Sequence, residues 1–295
     1  MSLHITPLID PAHGPHSRRL AWLASDADAI PVGTAFLRLF TGPGQEHLAE
    51  LTLRVHPVER RKRVGSRLLD AAVAAARDNA RRRVIAQAEA GSSGDHFLSA
   101  RGFRKVLTLR FSRLPPADVD TTALAAIVER PHPGYRLASW HGTVPDDLAQ
   151  TFAASRRAMD DMPMDDTDHG TVTWDVDRVR AAAKAVEARG DQLHTVVAID
   201  TSNGSIAGFT ELVTPGNGNG NGDGRHYGTA VLPEHRGHGL GLWMKAESIR
   251  QAHHRCPDLG GLLTDTADSN TYMRHINDSL GYVPTHTAHQ HQLDL

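Results

Sequence analysis

Cysteine is nearly absent: Cys256 is the one thiol in 295 residues, which excludes an intrachain disulfide framework and a cysteine-rich zinc site. Long apolar runs are missing too. No stretch approaches the roughly 18 residues of a membrane span. The start MSLHITPLID has neither the basic opening nor the apolar core of a secretory leader. An excess of one charge is also lacking. With 32 basic residues against 34 acidic ones and a net charge of −2, no bulk field favours nucleic acid. Neither a GxSxG nucleophile turn nor a Walker lysine occurs, so no catalytic serine or P-loop is signalled. What is present, 40% hydrophobic and 22% charged residues, fits a folded chain of about two domains. A cytoplasmic protein acting on small molecules, without nucleic acid or membrane as partner, is the expectation.

The two halves repeat each other. ELTLRVHPVERRKRVGSRLLDAAVAAA from Glu50 and HYGTAVLPEHRGHGLGLWMKAESIR from His226 both read as strand, V-x-P-x-x-R, basic turn, then amphipathic helix. Val55, Pro57, Arg60 and Gly65 match Val231, Pro233, Arg236 and Gly241 at a constant offset of 176. Leu51, Leu53 and Val55 alternate as a half-buried strand does, whereas Leu68, Leu69, Ala72, Val73 and Ala76 follow the helical period,. Each copy continues with a short strand, a helical stretch and a Gly-aromatic pair, Gly102-Phe103 and Gly281-Tyr282. Proline pairs bracket a boundary near residues 112–134. This divides the chain into a domain over residues 1–116, a linker over 117–133 carrying a short helix, and a domain over 134–295,. The first domain has no room for the two helices that precede the central strands of the second. It is an abbreviated copy.

In the second copy, Arg236-Gly-His-Gly-Leu-Gly241 joins a strand to a helix. Its glycines permit a tight turn, and the first amides of the helix have no internal acceptor, which makes an anion site suited to a pyrophosphate. Arg236 adds a charge and His238 a weaker one. A dinucleotide-binding turn would come earlier, in a βαβ unit followed by an acidic residue. The pattern V-x-P-x-x-R-G-H-G-L-G resembles the acetyl-CoA pyrophosphate loop of the GNAT acetyltransferase superfamily, with Arg236, Gly239 and Gly241 in its three defined places. ADSNTYMRHINDSLGY resembles that superfamily's following block, with Asn270 where a CoA-contacting asparagine often stands. Two copies in one chain are similar to tandem GNAT enzymes, a mycothiol-synthase-like two-domain arrangement.

The resemblance implies two α/β (α+β) domains, each a mixed, mostly antiparallel sheet with flanking helices. It also implies acetyl-CoA as co-substrate, bound where two central strands splay apart, with Val231, Arg236, Gly237, His238, Gly239, Leu240, Gly241, Asn270 and Asn277 at the carrier. An amine then attacks the thioester directly, with backbone donors holding the carbonyl. The first copy departs from the pattern. Arg63 replaces the glycine at the fourth motif position, Gly91 stands eleven residues before the Gly-aromatic pair where the second copy has Asn270, and Leu98 stands where many members carry a catalytic tyrosine. A structural role for the first domain is expected, the alternative being that Arg60, Arg61, Lys62 and Arg63 hold phosphates by charge. The second copy has Asn277 at the tyrosine place. Tyr272 is a substitute general acid, unless water or the thiolate itself suffices.

An ammonium acceptor must lose a proton before it attacks. Glu211, a carboxylate within the apolar strand IAGFTELVT, is the first candidate base and His226 the second,; the alternative for Glu211 is an outward, solvated position. Asp160, Asp161 and Asp165, with Asp166 and Asp168, make an acidic loop that either is simply solvated or attracts a small cationic amine. A non-catalytic CoA sensor, a longer acyl group and a protein amine are the rival functions, and a monomer or homodimer is expected. Asn217, Asn219, Asn221 and Asp223 echo a calcium loop, but its twelfth position is Gly228, not glutamate,; a hairpin tip is expected. His289 and His291 share a strand face with no carboxylate at ligand spacing, so no metal is expected among the 19 histidines,. Trp140, Trp174 and Trp243 read as packing residues.

Overall fold

The structure of the protein, a computed structural model, describes residues 3–9, 13–14, 16–168, 170, 172–216 and 222–295. The expected hairpin tip at Asn217, Asn219 and Asn221 lies outside the described residues. The chain forms two compact units. The first holds Met1–Thr108, Met164–Thr173 and Thr287–Leu295, and the second Leu109–Pro163 and Trp174–His286.

In the first unit, strands β1 (His4–Leu8), β3 (Ser17–Ser25), β4 (Pro31–Phe40), β5 (Leu48–Val55) and β6 (Arg83–Glu89) lie side by side, and β2 (His13–Gly14) pairs β3. All neighbours are antiparallel except β5 and β6. Helix α1 (Val64–Asp78) buries Val64, Leu68, Ala72 and Ala76. That spacing of four keeps them on one helical face. They meet Ala35, Leu37, Leu39 and Leu51 of β4 and β5 in one core. Helix α2 (Ser93–Ala100) adds Leu98 to it. The opposite face of β4 and β5 carries Phe36, Arg38, Glu50, Thr52 and Arg54, none of them buried. This alternation is what a sheet covered by helices on one side requires.

Strand β7 spans Arg104–Leu114. In the second unit its residues Leu109–Leu114 pair β12 (Gly261–Ala267). The sheet continues through β11 (Asp223–Val231), β10 (Ile206–Thr214), β9 (Gln192–Asp200) and β8 (Tyr135–His141). Only the β11–β12 pair is parallel. Helices α4 (Ala149–Ser155) and α5 (Val176–Glu187) accompany α6 (Leu240–Arg255) and α7 (Thr271–Ser279), with α3 (Thr121–Val128) packed on α6. Phe209 packs in a core with Phe152 of α4, whereas Leu212 packs with Ala246 and Ile249 of α6. With helices on both faces, every residue of β10 is buried.

Each unit is the mixed, mostly antiparallel α+β sheet that the repeated sequence implies. The partition nevertheless differs from contiguous domains over 1–116 and 134–295. The last strand, β13 (Val283–Asp294), pairs Ala288–Asp294 antiparallel with β6 of the first unit. Residues 164–173 also join that unit: Asp168 is ion-paired with Arg83 and lies 3.0 Å from His47, and the Asp166 amide donates to the Val106 carbonyl. The stretch 117–133 is no free linker either, since Leu124 of α3 is buried against α6 in the second unit.

The turn before α1 retains the conformation of the turn before α6 without its glycines. Arg61 and Arg63 both sit at φ 67, matching Gly237 at φ 83 and Gly239 at φ 73. A side chain in the left-handed region costs roughly 1–2 kcal/mol. Arg63→Gly is therefore expected to stabilise the first unit by about 1 kcal/mol, read as a shift in its urea midpoint at unchanged slope. A destabilised variant would mean that the arginine side chain makes up for the strain.

Candidate acyl-carrier site

The second-unit turn is built from local rules. Pro233 opens a 3₁₀ turn, Pro233–His235, Arg236 is extended, and Gly239 in the left-handed region caps α6. A Cβ on Gly237 would meet nothing within 4 Å, so that glycine is required for its backbone angle rather than for space. The first helical bond runs from the Trp243 amide to the Gly239 carbonyl at 3.1 Å. The amides of Leu240, Gly241 and Leu242 thus precede the ladder and concentrate the positive end of the helix dipole. The segment after α3 braces the loop: His132 Nδ1 lies 3.0 Å from the His238 carbonyl oxygen, and its ring stacks on Trp243 at 4.1 Å.

A cavity of about 340 Å³ opens beside this turn, lined by Val231, Arg236, Gly237, Gly239, Leu240, Gly241, Asn270 and Tyr272, and by Ala158, Asp161 and Met162. It lies where the central strands part. β11 pairs β12 over three residues only, Asp223–Arg225 with Gly261–Leu263, although both strands run on to Val231 and Ala267. From His226 onward β11 keeps β10 as its neighbour on one side, with a bulge that skips Tyr227. A strand edge left unpaired in this way offers backbone donors and acceptors to a ligand.

Seven of the nine expected carrier residues line this cavity. Asn270 caps α7 by accepting the Met273 amide at 3.0 Å. The cap of the corresponding helix in the first unit is Ser92, one residue beyond Gly91. His238 is exposed, with its ring 5.4 Å from that of Tyr135. Asn277 is buried and accepts a hydrogen bond from Lys245 Nζ at 2.6 Å; neither it nor His238 lines the cavity.

The three expected catalytic residues are not brought together. Tyr272 is exposed at the cavity. Glu211 is buried and accepts two hydrogen bonds from Arg156, at 2.8 and 2.5 Å. The Arg156 guanidinium in turn sits 4.7–4.8 Å from the rings of Phe152, Trp174 and Phe209. This pair fixes the short turn Arg156–Met159 on β10, and that turn leads to the cavity residues Ala158, Asp161 and Met162. His226 is buried, neither ring nitrogen has a hydrogen-bond partner among the described residues, and burial pushes its pKa well below the ordinary value, with Lys245 and His194 adding to the effect. Asp160 is exposed, whereas Asp161 accepts hydrogen bonds from Arg236 at 2.7 and 2.8 Å. Asp165 belongs to the first unit.

Arg156 and Lys245 are not among the site residues expected from the sequence. Lys245 falls inside the run Leu240–Ile249 of α6, whose one non-buried residue is Leu242. Burial pulls its pKa down to about 7, against a smaller upward pull from Asp265. Its Nζ donates to Asn277 and Thr264 and lies 4.9 Å from the centre of the Tyr282 ring. A lysine among apolar neighbours in a helix facing a sheet was the signal available.

The acetyltransferase (GNAT) family matches residues 3–103 and 157–282, and the chain belongs to that family. A tandem GNAT protein from the clavulanic acid biosynthesis pathway, solved without AcCoA, is 23% identical with a TM-score of 0.78, over 96% of this chain and 84% of that one. A GCN5-related N-acetyltransferase from Sphaerobacter thermophilus is 14% identical at TM-score 0.65, over 93% and 80% of the two chains. One from Kribbella flavida is 17% identical at 0.54, over 88% and 87%. These likenesses show the fold. No curated protein matches the chain. Among the described residues no helix is long and apolar enough to cross a membrane.

Two outcomes follow from the buried groups. Glu211→Gln leaves Arg156 buried without a countercharge and is expected to cost roughly 3–5 kcal/mol of stability, measured by urea unfolding; lost turnover at unchanged stability would instead make Glu211 a base. Unfolded lysine keeps its proton to about pH 10.5, whereas Lys245 releases it near 7. The unfolded state therefore binds more protons between those values, and stability rises with pH across that window. Thermal unfolding from pH 7 to 9.5 is expected to show this rise in the wild type and a flatter profile in Lys245→Met.

Proposed function

We propose that the second unit binds acetyl-CoA and transfers its acetyl group to an amine of a small cationic molecule. One observation carries the reading: a turn with two left-handed glycines aims unpaired helix-start amides into a cavity at the edge where β11 leaves β12. Family membership implies an acyl-CoA donor. The pyrophosphate would rest on the amides from Gly237 to Gly241, with the Arg236 guanidinium beside it. The thioester would then lie along the unpaired edge of β11, where main-chain donors can hold its carbonyl as charge builds on the oxygen.

The free amine attacks the carbonyl carbon, a tetrahedral adduct forms, and the C–S bond breaks to release the CoA thiolate. Tyr272 is the one expected catalytic residue at the cavity and is the proposed proton donor to that thiolate. Glu211, held by Arg156, positions the cavity wall; the ammonium gives one proton to water before the attack, the adduct nitrogen gives up a second to water, and Tyr272 regains its own proton from solvent. Pyrophosphate replaces Asp161 as the partner of Arg236 and frees that carboxylate, next to Asp160, for a cationic acceptor. The first unit, with Arg61 and Arg63 in place of the turn glycines, is proposed to be structural. A CoA sensor is the second reading, favoured by a cavity lining whose carboxylates and imidazoles, among the described residues, are Asp161 and His235 alone.

Calorimetric titration of the full chain with acetyl-CoA is expected to give one site. Arg236→Ala should weaken it about tenfold, the scale of one charge-assisted contact. Gly239→Val should abolish it, and Arg63→Ala should leave it unchanged. Thiol release with a panel of small amines separates enzyme from sensor. Binding without release by any amine supports the sensor, and absence of binding ends both readings.

A further inference from the structure

We propose that Asp95, His289 and His291 of the first unit form a site for a divalent transition-metal ion of the zinc type. His289 and His291 are alternate residues of β13 and share one face, and Asp95 lies in the first turn of α2. Asp95 is 194 and 196 residues from the two histidines in the chain, and folding supplies the carboxylate that local spacing lacks. His291 Nε2 lies 2.7 Å from Asp95 Oδ1, and His289 Nδ1 lies 3.1 Å from each carboxylate oxygen. One ligand atom from each residue lies within 4.8 Å of the other two. A tetrahedral zinc ion, with bonds of about 2.0–2.1 Å, holds its ligands roughly 3.3 Å apart. Small side-chain shifts therefore bring all three onto one ion.

Charge supports the same conclusion. Asp95 is buried, and its ion-pair partners among the described residues are the two imidazoles alone; the Gly91 amide donates to its other oxygen at 2.8 Å. The carboxylate is held inside the protein by these donors, and a cation can take the place of the protons it shares with the two imidazoles,. Two nitrogens and one oxygen favour zinc-like ions over calcium or magnesium, which take oxygen ligands. The His291 side chain is sealed, whereas one-fifth of the His289 side chain is exposed, so the ion enters past His289 and keeps its fourth position toward solvent. His291 Nδ1 has no partner among the described residues. The outer hydrogen bond that strengthens a metal-binding imidazole is missing, which lowers affinity by about 10- to 100-fold. Bound metal would clasp the last strand to α2 and stabilise the first unit in proportion to occupancy.

The test uses the untagged full chain and zinc chloride at pH 7.5, with equilibrium dialysis for stoichiometry and thermal unfolding for stability. With 19 histidines, the decisive quantity is the difference between variants. Wild type is expected to bind one more equivalent than His289→Ala or Asp95→Asn and to gain thermal stability that neither variant gains. Affinity for that equivalent should fall at least tenfold in His289→Ala. Because His289 is partly exposed, that variant stays interpretable if Asp95→Asn fails to fold. Equal zinc uptake by wild type and His289→Ala, or zinc binding without stabilisation, would overturn the proposal. Neither result bears on acetyl-CoA binding by the second unit.

Discussion

The architecture of the second unit depends on one pairing that stops early. β11 and β12 are joined by three residue pairs and then part, while β11 stays bonded to β10. Parallel strands must be connected by a crossover, and here that crossover is α6, entered through the glycine turn. The strand edge, the helix start and the cavity are therefore consequences of a single local event. Surrounding contacts hold the event in place: His132 and Trp243 brace the turn, and Arg156 with Glu211 fixes the turn that leads to Ala158, Asp161 and Met162. A buried ion pair contributes little net stability but is costly to break. It holds one geometry of that turn against alternatives.

The first unit uses the same event differently. β5 and β6 pair over four residues and then part, and the turn that follows has the same left-handed backbone. Arginines occupy that turn, so it keeps its conformation at a cost and presents bulky charged side chains rather than bare amides. Without the two early helices, the face of β4 and β5 opposite α1 is not buried, and Phe36 and Arg38 of β4 appear where the second unit has the all-buried β10. One supersecondary plan thus yields a cavity beside the glycine turn in one unit and a one-sided sheet in the other.

Much of this was legible in the chain. The helix faces of α1, the strand alternation in β4 and β5, the internal repeat and the glycine turn are local patterns, and local patterns are set by backbone geometry and burial. Asn270 was also readable, because a cap residue announces a helix start. What was not legible depends on contacts between distant residues. Glu211 in an apolar strand signalled a special carboxylate, but its partner Arg156 lies on another element and makes the pair a support. His226 has the right intrinsic chemistry, yet the fold buries it away from the cavity. Nothing in β13 alone says that its second half pairs β6, and no spacing rule links Asp95 to His289 and His291.

The most direct test is a crystal structure of the full chain with acetyl-CoA. One carrier per chain is expected, its pyrophosphate within hydrogen-bond distance of the amides between Gly237 and Gly241, its thioester beside the unpaired edge of β11, and Arg236 turned from Asp161 to phosphate. A carrier seated on the Arg61–Arg63 turn, or a glycine turn left vacant at saturating ligand, would contradict that expectation.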